Sequence, residues 1–331
     1  MLIRKVSLRE VKNKWERMYA SNHALTPYSS YSFNEIVQHY YRFGLKRALF
    51  RTKIFEILDD SQNTIMIIPL YGKGRRFYIL GDLIPTGHLD FIYKTEANNE
   101  EFEQAFKLLQ TELRGTKVVF NKISQRSKLN DYLALHYPAL QKNVCVNINF
   151  GTDYEAYLGS LSKSTRNNIH TMYNRIKRDI SSWELEVMMR TPVPRSLEDE
   201  IIRLYTQKIF DKNEVRAGWL LRTSWRYTNP ITISTMRMED NFNSILRFNG
   251  NIVAAFCGYV DNDESTIITP RGAMDRTYSR YSPGIVVILE TIKWLTRNTK
   301  ITNLDLSRGD EAYKYTLGGK EHYNYSYEID L

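Results

Sequence analysis

Along the 331-residue chain the spacing of hydrophobic positions switches repeatedly between helical and strand periods, and each switch marks a candidate element. Val11, Trp15 and Met18 share one helical face near the N-terminus, and a second helix is predicted over Phe33 to Phe43. Ala48 to Leu58 and Thr64 to Leu70 read as strands. The turn-rich Asp59-Asp60-Ser61-Gln62-Asn63 between them predicts a hairpin. A strand over Leu89 to Tyr93 follows, then a helix carrying Phe102, Ala105, Phe106 and Leu109 on one face, then strands through Lys117 to Phe120 and Val144 to Ile148. Such alternation predicts a mixed α/β layer structure, with helices packed on a mixed, twisted sheet.

The second half opens with a predicted long amphipathic helix from Asp153 to Asp179. Its stripe is Tyr154, Leu158, Leu161, Ile169, Met172 and Ile176, with Thr165 filling the gap. Lys163, Arg166, His170 and Lys177 fall on the opposite face as a basic ridge. After Pro192 and Pro194, a helix runs through Leu197, Ile201, Leu204 and Tyr205. Asn249-Gly250 then separates two apolar strands, a hairpin signal because both turn positions favour positive φ. A strand over Ser265 to Pro270 precedes Ser282-Pro283-Gly284, which opens a helix bearing Ile285, Ile288, Leu289, Ile292 and Leu295. Ile301 to Leu306 alternates as a strand and leads into a polar loop, Ser307 to Tyr315. Hairpin, strand, helix, strand occurs in both halves. A tandem duplication of one fold is therefore expected, with domains over 1–150 and 151–331.

Composition narrows the class. Hydrophobic residues make up 42% and charged residues 25%, the proportions of a globular protein. Cys145 and Cys257 form no ligand-like cluster, no secretory leader is legible, and no run of about 18 apolar residues suggests a spanning helix. A cytoplasmic protein is expected. The net charge of +9 points to an anionic partner, whether nucleotide phosphate, nucleic acid or a lipid surface.

Ser282, Pro283 and Gly284 are candidates for an anion site. Serine suits the cap, proline the first helical position, and glycine lets a phosphate approach the free amides. Arg271 and Arg280 could neutralise such an anion. Tyr71-Gly72-Lys73-Gly74-Arg75-Arg76 lacks the spacing of a phosphate loop and reads as a basic hairpin turn. The six histidines show no metal-ligand spacing, and no G-x-S-x-G elbow exists, so metal-dependent and serine hydrolase chemistry find no support and no metal is assigned.

Three blocks together carry a family likeness. Asn249 to Ala255, Ala273 to Gly284, and Leu304-Asp305-Leu306-Ser307-Arg308-Gly309-Asp310-Glu311-Ala312-Tyr313-Lys314 resemble GNAT-superfamily acyltransferases of the cellulose-biosynthesis-associated CelD type. Leu161 to Ser164 and Arg166 resemble the basic helix that opens the second domain in that family, and the likeness spans about residues 140 to 331. Tyr313-Lys314-Tyr315 is similar to the C-terminal aromatic-lysine motif of Fem-type peptidyl transferases, which share the tandem layout. The usual GNAT phosphate loop, Q/R-x-x-G-x-G/A, is reduced here to Gly284 with Arg280 four residues before it.

The resemblance implies two GNAT-like domains, an acyl-CoA co-substrate bound to the second, with acetyl-CoA foremost, and a small-molecule amine acceptor between them, one that could carry phosphate. A Fem-type enzyme would use charged tRNA instead. A non-enzymatic module binding nucleic acid or an anionic surface is the alternative of a different class. Under the acyltransferase reading Lys314 steadies the tetrahedral oxyanion, with Tyr313 beside it in the catalytic set. Asp310 and Glu311 are the candidate bases for the amine, with an ion pair to Arg308 as the purely structural alternative. Lys163, Arg166, Arg308 and Asp305 would face the acceptor.

Overall fold

The computed structural model describes residues 1–42, 50–213 and 229–331. Its contacts divide it into two compact units, Met1–Val144 together with His322–Leu331, and Cys145–Glu321. The C-terminal segment thus belongs to the first unit, unlike a simple division at residue 150. The physical reason is strand pairing: the last strand bonds to a strand of the first half.

In the first unit the elements are β1 (Leu2–Val6), α1 (Lys12–Ser21), α2 (Tyr31–Tyr41), β2 (Arg51–Leu58), β3 (Thr64–Lys73), β4 (Arg76–Ile79), β5 (Ile92–Tyr93), α3 (Asn99–Glu112), β6 (Lys117–Ser124), α4 (Lys128–His136) and the final strand β13 (Lys320–Asp330). The sheet order is β1-β2-β3-β4-β6-β13. Among the described strands of this unit, β4 and β6 are the parallel neighbours, paired from Arg76 with Lys117 to Tyr78 with Val119. Ser30 starts α2 by accepting from the Phe33 N–H at 3.2 Å. Expected positions 43, 48 and 49, at the end of the second helix and the start of the second strand, lie outside the described residues. The basic turn before Arg76 is the expected hairpin, with Gly74 at φ 63°. The expected strand from Leu89 shrinks to Ile92–Tyr93, plus a bridge from Leu89 to Ile123.

The second unit comprises β7 (Gln141–Asn149), which crosses the boundary at its start, α5 (Tyr154–Ser160), α6 (Lys163–Asp179), β8 (Trp183–Met189), α7 (Arg195–Asn213), α8 (Pro230–Arg237), β9 (Asn241–Phe248), β10 (Asn251–Val260), β11 (Thr266–Met274), α9 (Pro283–Asn298), β12 (Asn303–Arg308) and α10 (Ala312–Thr316). Its order is β8-β9-β10-β11-β12-β7. Among its described strands β11 and β12 are the parallel pair, and again the pairing spans three residues, Thr266–Ile268 against Asn303–Asp305. The strands of the two units therefore repeat one order, as a tandem α/β architecture requires. The first unit ends on β13, from the C-terminus of the chain, and the second on β7, which precedes its other strands in sequence.

Alternation sets the two faces of the second sheet. Leu246, Ala254 and Phe256 join the core beneath α9, with Val286, Leu289 and Ile292, whereas Ile245, Ala255 and Cys257 meet Leu197, Ile201 and Tyr205 of α7 on the other side. Burying each such large aliphatic chain contributes about 1.5–3 kcal/mol. Asn249 and Gly250 occupy φ 48° and 81°, forming the expected two-residue hairpin.

The predicted continuous helix from Asp153 to Asp179 is instead two. Leu161 leaves the helical region at ψ 156°, and the Ser162 side chain caps the next helix by accepting from Thr165 N–H at 3.1 Å. A local capping bond outcompeted a hydrophobic stripe that continued across the break. Among the described residues no helix is long and apolar enough to cross a membrane.

Candidate functional site

β11 and β12 separate after Ile268 and Asp305, where their pairing ends. β12 then bends: Ser307 takes φ 55° and Gly309 φ 117°, and its register with β7 shifts between Asp305 and Arg308. Asp305 sets the bend by accepting the Ser307 N–H at 2.7 Å, and it is only 6% exposed. At Gly309 a side chain would be strained by the backbone angle and would meet the Glu311 carboxylate at 2.5 Å.

Beside the end of β11 lies a cavity of about 380 Å³. Ala255 and Phe256 of β10, Gly272, Ala273 and Met274 of β11, and Ile285, Val287 and Ile288 of α9 line it. Arg276 and Ser279 from the 3₁₀ turn Arg276–Tyr281, Ser282 and Gly284 at the start of α9, and Tyr313 complete the wall. Gly272 packs closely here, since a Cβ would come within 3.1 Å of the Phe256 ring.

The start of α9 departs from the expected serine cap. Ser282 adopts the left-handed conformation, φ 50° and ψ 50°, and its side chain caps nothing. Its backbone carbonyl accepts from Ile285 N–H at 2.9 Å and Val286 N–H at 3.1 Å. Pro283, at the first helical position, has no N–H. The Gly284 N–H has no acceptor among the described residues, and the first turn contains no acidic side chain. An uncapped dipole end beside a cavity, opened by a non-glycine residue in left-handed geometry, is suited to an anion.

Of the expected site residues, Ser282, Gly284 and Tyr313 line this cavity. Tyr313 is 37% exposed, and burial, reinforced by the Glu311 carboxylate, pushes its phenol up to about 12, so it holds its proton at neutral pH. Arg271 does not line the cavity. Its guanidinium bonds Asn229 Oδ1 at 2.8 Å and Thr232 Oγ1, at the N-terminus of α8, and stands over the Tyr205 ring. Arg280 pairs with Asp179 at 2.7 Å, tying the 3₁₀ turn to the end of α6. The cation on the cavity wall is Arg276, which has no ion pair among the described residues. Nothing in the sequence distinguished it from its two neighbours, because its position depends on the 3₁₀ turn that Asp275 caps through Thr277 N–H.

Lys314 is not a free cation facing a ligand. It is 2% exposed, and its ammonium contacts the carbonyls of Leu306, Ser307, Arg308 and Gly309 at 3.1, 3.3, 3.2 and 3.1 Å. Glu311 Oε2 lies 3.0 Å away. With every N–H directed to these acceptors, the expected oxyanion role does not fit; the lysine holds the bend after β12. Glu311 is its partner, so the expected alternative of a pair with Arg308 is not formed. Arg308 is exposed without an ion pair among the described residues, and Asp310 is exposed on the same bend.

Arg166 is likewise occupied, donating to Gly159 O at 2.9 Å and to Leu161 O, where it closes the end of α5. Lys163, His170 and Lys177 are exposed on α6, and none of these lines the cavity.

The corresponding place in the first unit is built differently. The N-terminus of α3 has a complete capping box, with Asn98 Oδ1 accepting Glu101 N–H at 3.0 Å and Glu101 accepting Asn98 N–H at 3.1 Å. Glu100 and Glu101 place negative charge in its first turn. The edge of β6 that β4 leaves is taken by the chain itself: Leu89 N–H donates to Lys122 O at 2.9 Å. Lys122, at φ 59°, bonds Asp82 O and, at 2.7 Å, Ile84 O, pinning this filling segment.

Residues 243–315 match the family described as acetyltransferase (GNAT) domain, and every residue of the cavity wall falls inside that stretch. No curated protein matches the chain by sequence. Among solved structures, FemX is similar with a TM-score of 0.64 at 9% identity, over 100% of this chain and 98% of that one. The C-terminal domain of a candidate lysylphosphatidylglycerol synthetase from Agrobacterium fabrum gives a TM-score of 0.59 at 13% identity, covering 98% and 92%. L-PGS from Bacillus licheniformis gives 0.57 at 12% identity, covering 90% and 91%. At these identities the likeness is one of fold. Residues 243–315 thus match a GNAT acetyltransferase domain, within a chain whose whole length shares its fold with FemX and L-PGS.

Proposed function

We propose that this chain is an N-acyltransferase of the CelD type that its Leu304–Lys314 block resembles, moving an acyl group from acyl-CoA to an amine acceptor. The observation that carries the reading is the start of α9: an uncapped helix end, free of acidic side chains, whose Gly284 N–H has no acceptor and which opens on a cavity. The Gly284 amide, the Ser282 and Ser279 hydroxyls and Arg276 would hold the donor's phosphates.

In the transfer the amine nitrogen attacks the thioester carbonyl carbon, forming the C–N bond as the C–S bond breaks. Tyr313, a phenol that keeps its proton at neutral pH and whose pKa burial raises further, gives that proton to the departing thiolate, and the phenolate takes a proton back from solvent. The ammonium formed on the acceptor loses its proton to water or to the exposed Asp310 carboxylate. Lys314 is a positioning residue: by gathering four carbonyls of the bend it fixes the segment that leads to Tyr313.

Calorimetric titration with acetyl-CoA, longer acyl-CoAs and charged tRNA tests the reading. Binding of a CoA species at micromolar concentration supports it. Binding of charged tRNA alone would replace it with the Fem-type reading.

A further inference from the structure

The exposed face of α6 takes no part in the cavity, and its charge is arranged unlike that of α1 or α3. On α1 Lys12 faces Glu16 at 3.8 Å, and on α3 Lys107 faces Glu103 at 2.7 Å, so a cation and an acid share one turn. From Lys163 to Arg178 the sequence of α6 holds no acid at all. Lys163, Arg175 and Lys177 are exposed and have no ion pair among the described residues, while Asp179, the last residue of the helix, is shared by Arg178 and Arg280. The helix dipole favours cations at a C-terminus, which accounts for Arg175, Lys177 and Arg178 without a partner. Lys163 is different. It stands at the first helical position, just after the Ser162 cap, where the same dipole disfavours positive charge and no acid in the first turn offsets it.

At 100° per residue Lys163, Asn167, His170, Asn174 and Lys177 fall within one exposed strip, with Arg178 beside them. From Lys163 to Arg178 the strip is about 22 Å long. Cations stand at its two ends and amides between, with Asn174 Nδ2 3.2 Å from His170 Nδ1. Nothing apolar or aromatic is exposed on it: Ile169, Met172 and Ile176 are buried, and the Tyr173 hydroxyl donates to Glu290 at 2.5 Å.

We propose that this face of α6 is a docking surface for the sugar–phosphate backbone of a nucleic-acid duplex, bound without regard to sequence. Lysine and arginine neutralise phosphates, and asparagine amides hydrogen-bond phosphate and sugar oxygens. A lipid surface is the poorer occupant, because it rewards apolar and aromatic side chains that enter it, and the strip exposes none. A single strand is the poorer occupant for a related reason, the lack of any ring on which its bases could stack. The strip lies outside the cavity wall, so the inference stands apart from the donor reading.

The test measures binding of the full chain to a short DNA duplex, an RNA duplex of the same sequence, the matching single strands, and vesicles of equimolar phosphatidylglycerol and phosphatidylcholine. Micromolar binding of either duplex supports the proposal if it weakens about 40-fold between about 50 and 200 mM salt, as three phosphate contacts require. The tighter of the two duplexes identifies the preferred backbone. The double variant Lys163→Gln, Lys177→Gln should reduce the log–log salt slope by about two, with its thermal midpoint not lowered. Gly284→Asp, at the cavity, should leave duplex binding unchanged; a loss there would place the nucleic acid in the cavity and overturn the proposal. Tighter binding of a single strand, binding of vesicles alone, a salt slope indifferent to the double variant, or no duplex binding at micromolar concentration would overturn it equally.

Discussion

The two units repeat one topology, yet the helix that follows the parallel strand begins in opposite ways. In the first unit Asn98 and Glu101 close the N-terminus of α3 with reciprocal bonds, and two glutamates add negative charge. In the second, the side chain that could cap α9 is turned away by a left-handed backbone, and no acid stands in the first turn. One end is satisfied internally and disfavours anions; the other leaves the Gly284 N–H without an acceptor among the described residues. The neighbouring space follows the same division. The chain's own segment around Leu89 occupies the edge of β6, whereas a cavity lies beside β11. The repeated topology thus carries an open cavity in one unit, while in the other the chain's own segment fills the corresponding edge.

Lys122 itself forms the bend of β6, whereas the bend of β12 is held by the ammonium of Lys314 from the following helix, and this second lysine offers the largest test. Lys314→Met should leave four buried carbonyls without their donor and destabilise the protein by about 3 kcal/mol, measured by urea unfolding. Turnover of the folded fraction should fall less than in Tyr313→Phe, because the lysine only holds the segment that leads to Tyr313, and donor affinity of that fraction should be retained. A fully stable variant with abolished turnover would return Lys314 to the chemistry. Next, Tyr313→Phe should lower kcat about 100-fold with donor affinity retained. Since its pKa is raised to about 12, the wild-type rate should show no loss of this acid up to about pH 10. An alkaline limb near pH 8 that disappears in the variant would contradict the assignment.

Smaller effects contrast the helix ends directly. Gly284→Asp puts a carboxylate on the open end and should weaken donor binding at least about tenfold, with stability little changed. Asn98→Ala removes a cap at the closed end and should cost about 1 kcal/mol of stability without altering donor affinity. A loss of donor binding in the Asn98 variant would show that the first unit takes part in holding the donor.

Local signals made much of this architecture legible. Asn249-Gly250 dictated a hairpin because few other residues tolerate two positive φ angles in succession. The helix from Pro283 was readable from its proline and its apolar stripe. What lay beyond reach depended on tertiary context. β13, alternating Tyr323, Tyr325 and Tyr327 with polar residues, is weakly patterned and gains its place from pairing with β6. β8 interleaves Glu184 and Glu186 with Trp183, Leu185 and Val187, and its half-exposed residues fit a sheet edge. Among the site residues, Tyr313 and Gly284 were recognisable from motif and helix start. Lys314 stood in the recognised motif, but its burial beneath four carbonyls follows from the left-handed turn at Ser307, which no spacing announces. Arg271, Arg276 and Arg280 look alike in sequence; only the turn between β11 and α9 decides which of them reaches the cavity.

The claim that one copy binds the donor and the other is closed is tested most directly by the stoichiometry of acyl-CoA binding, measured by calorimetry on the wild type and on Gly284→Asp. The account predicts one site per chain, lost or weakened at least about tenfold in the variant. Two sites per chain, or a single site indifferent to Gly284→Asp, would contradict it.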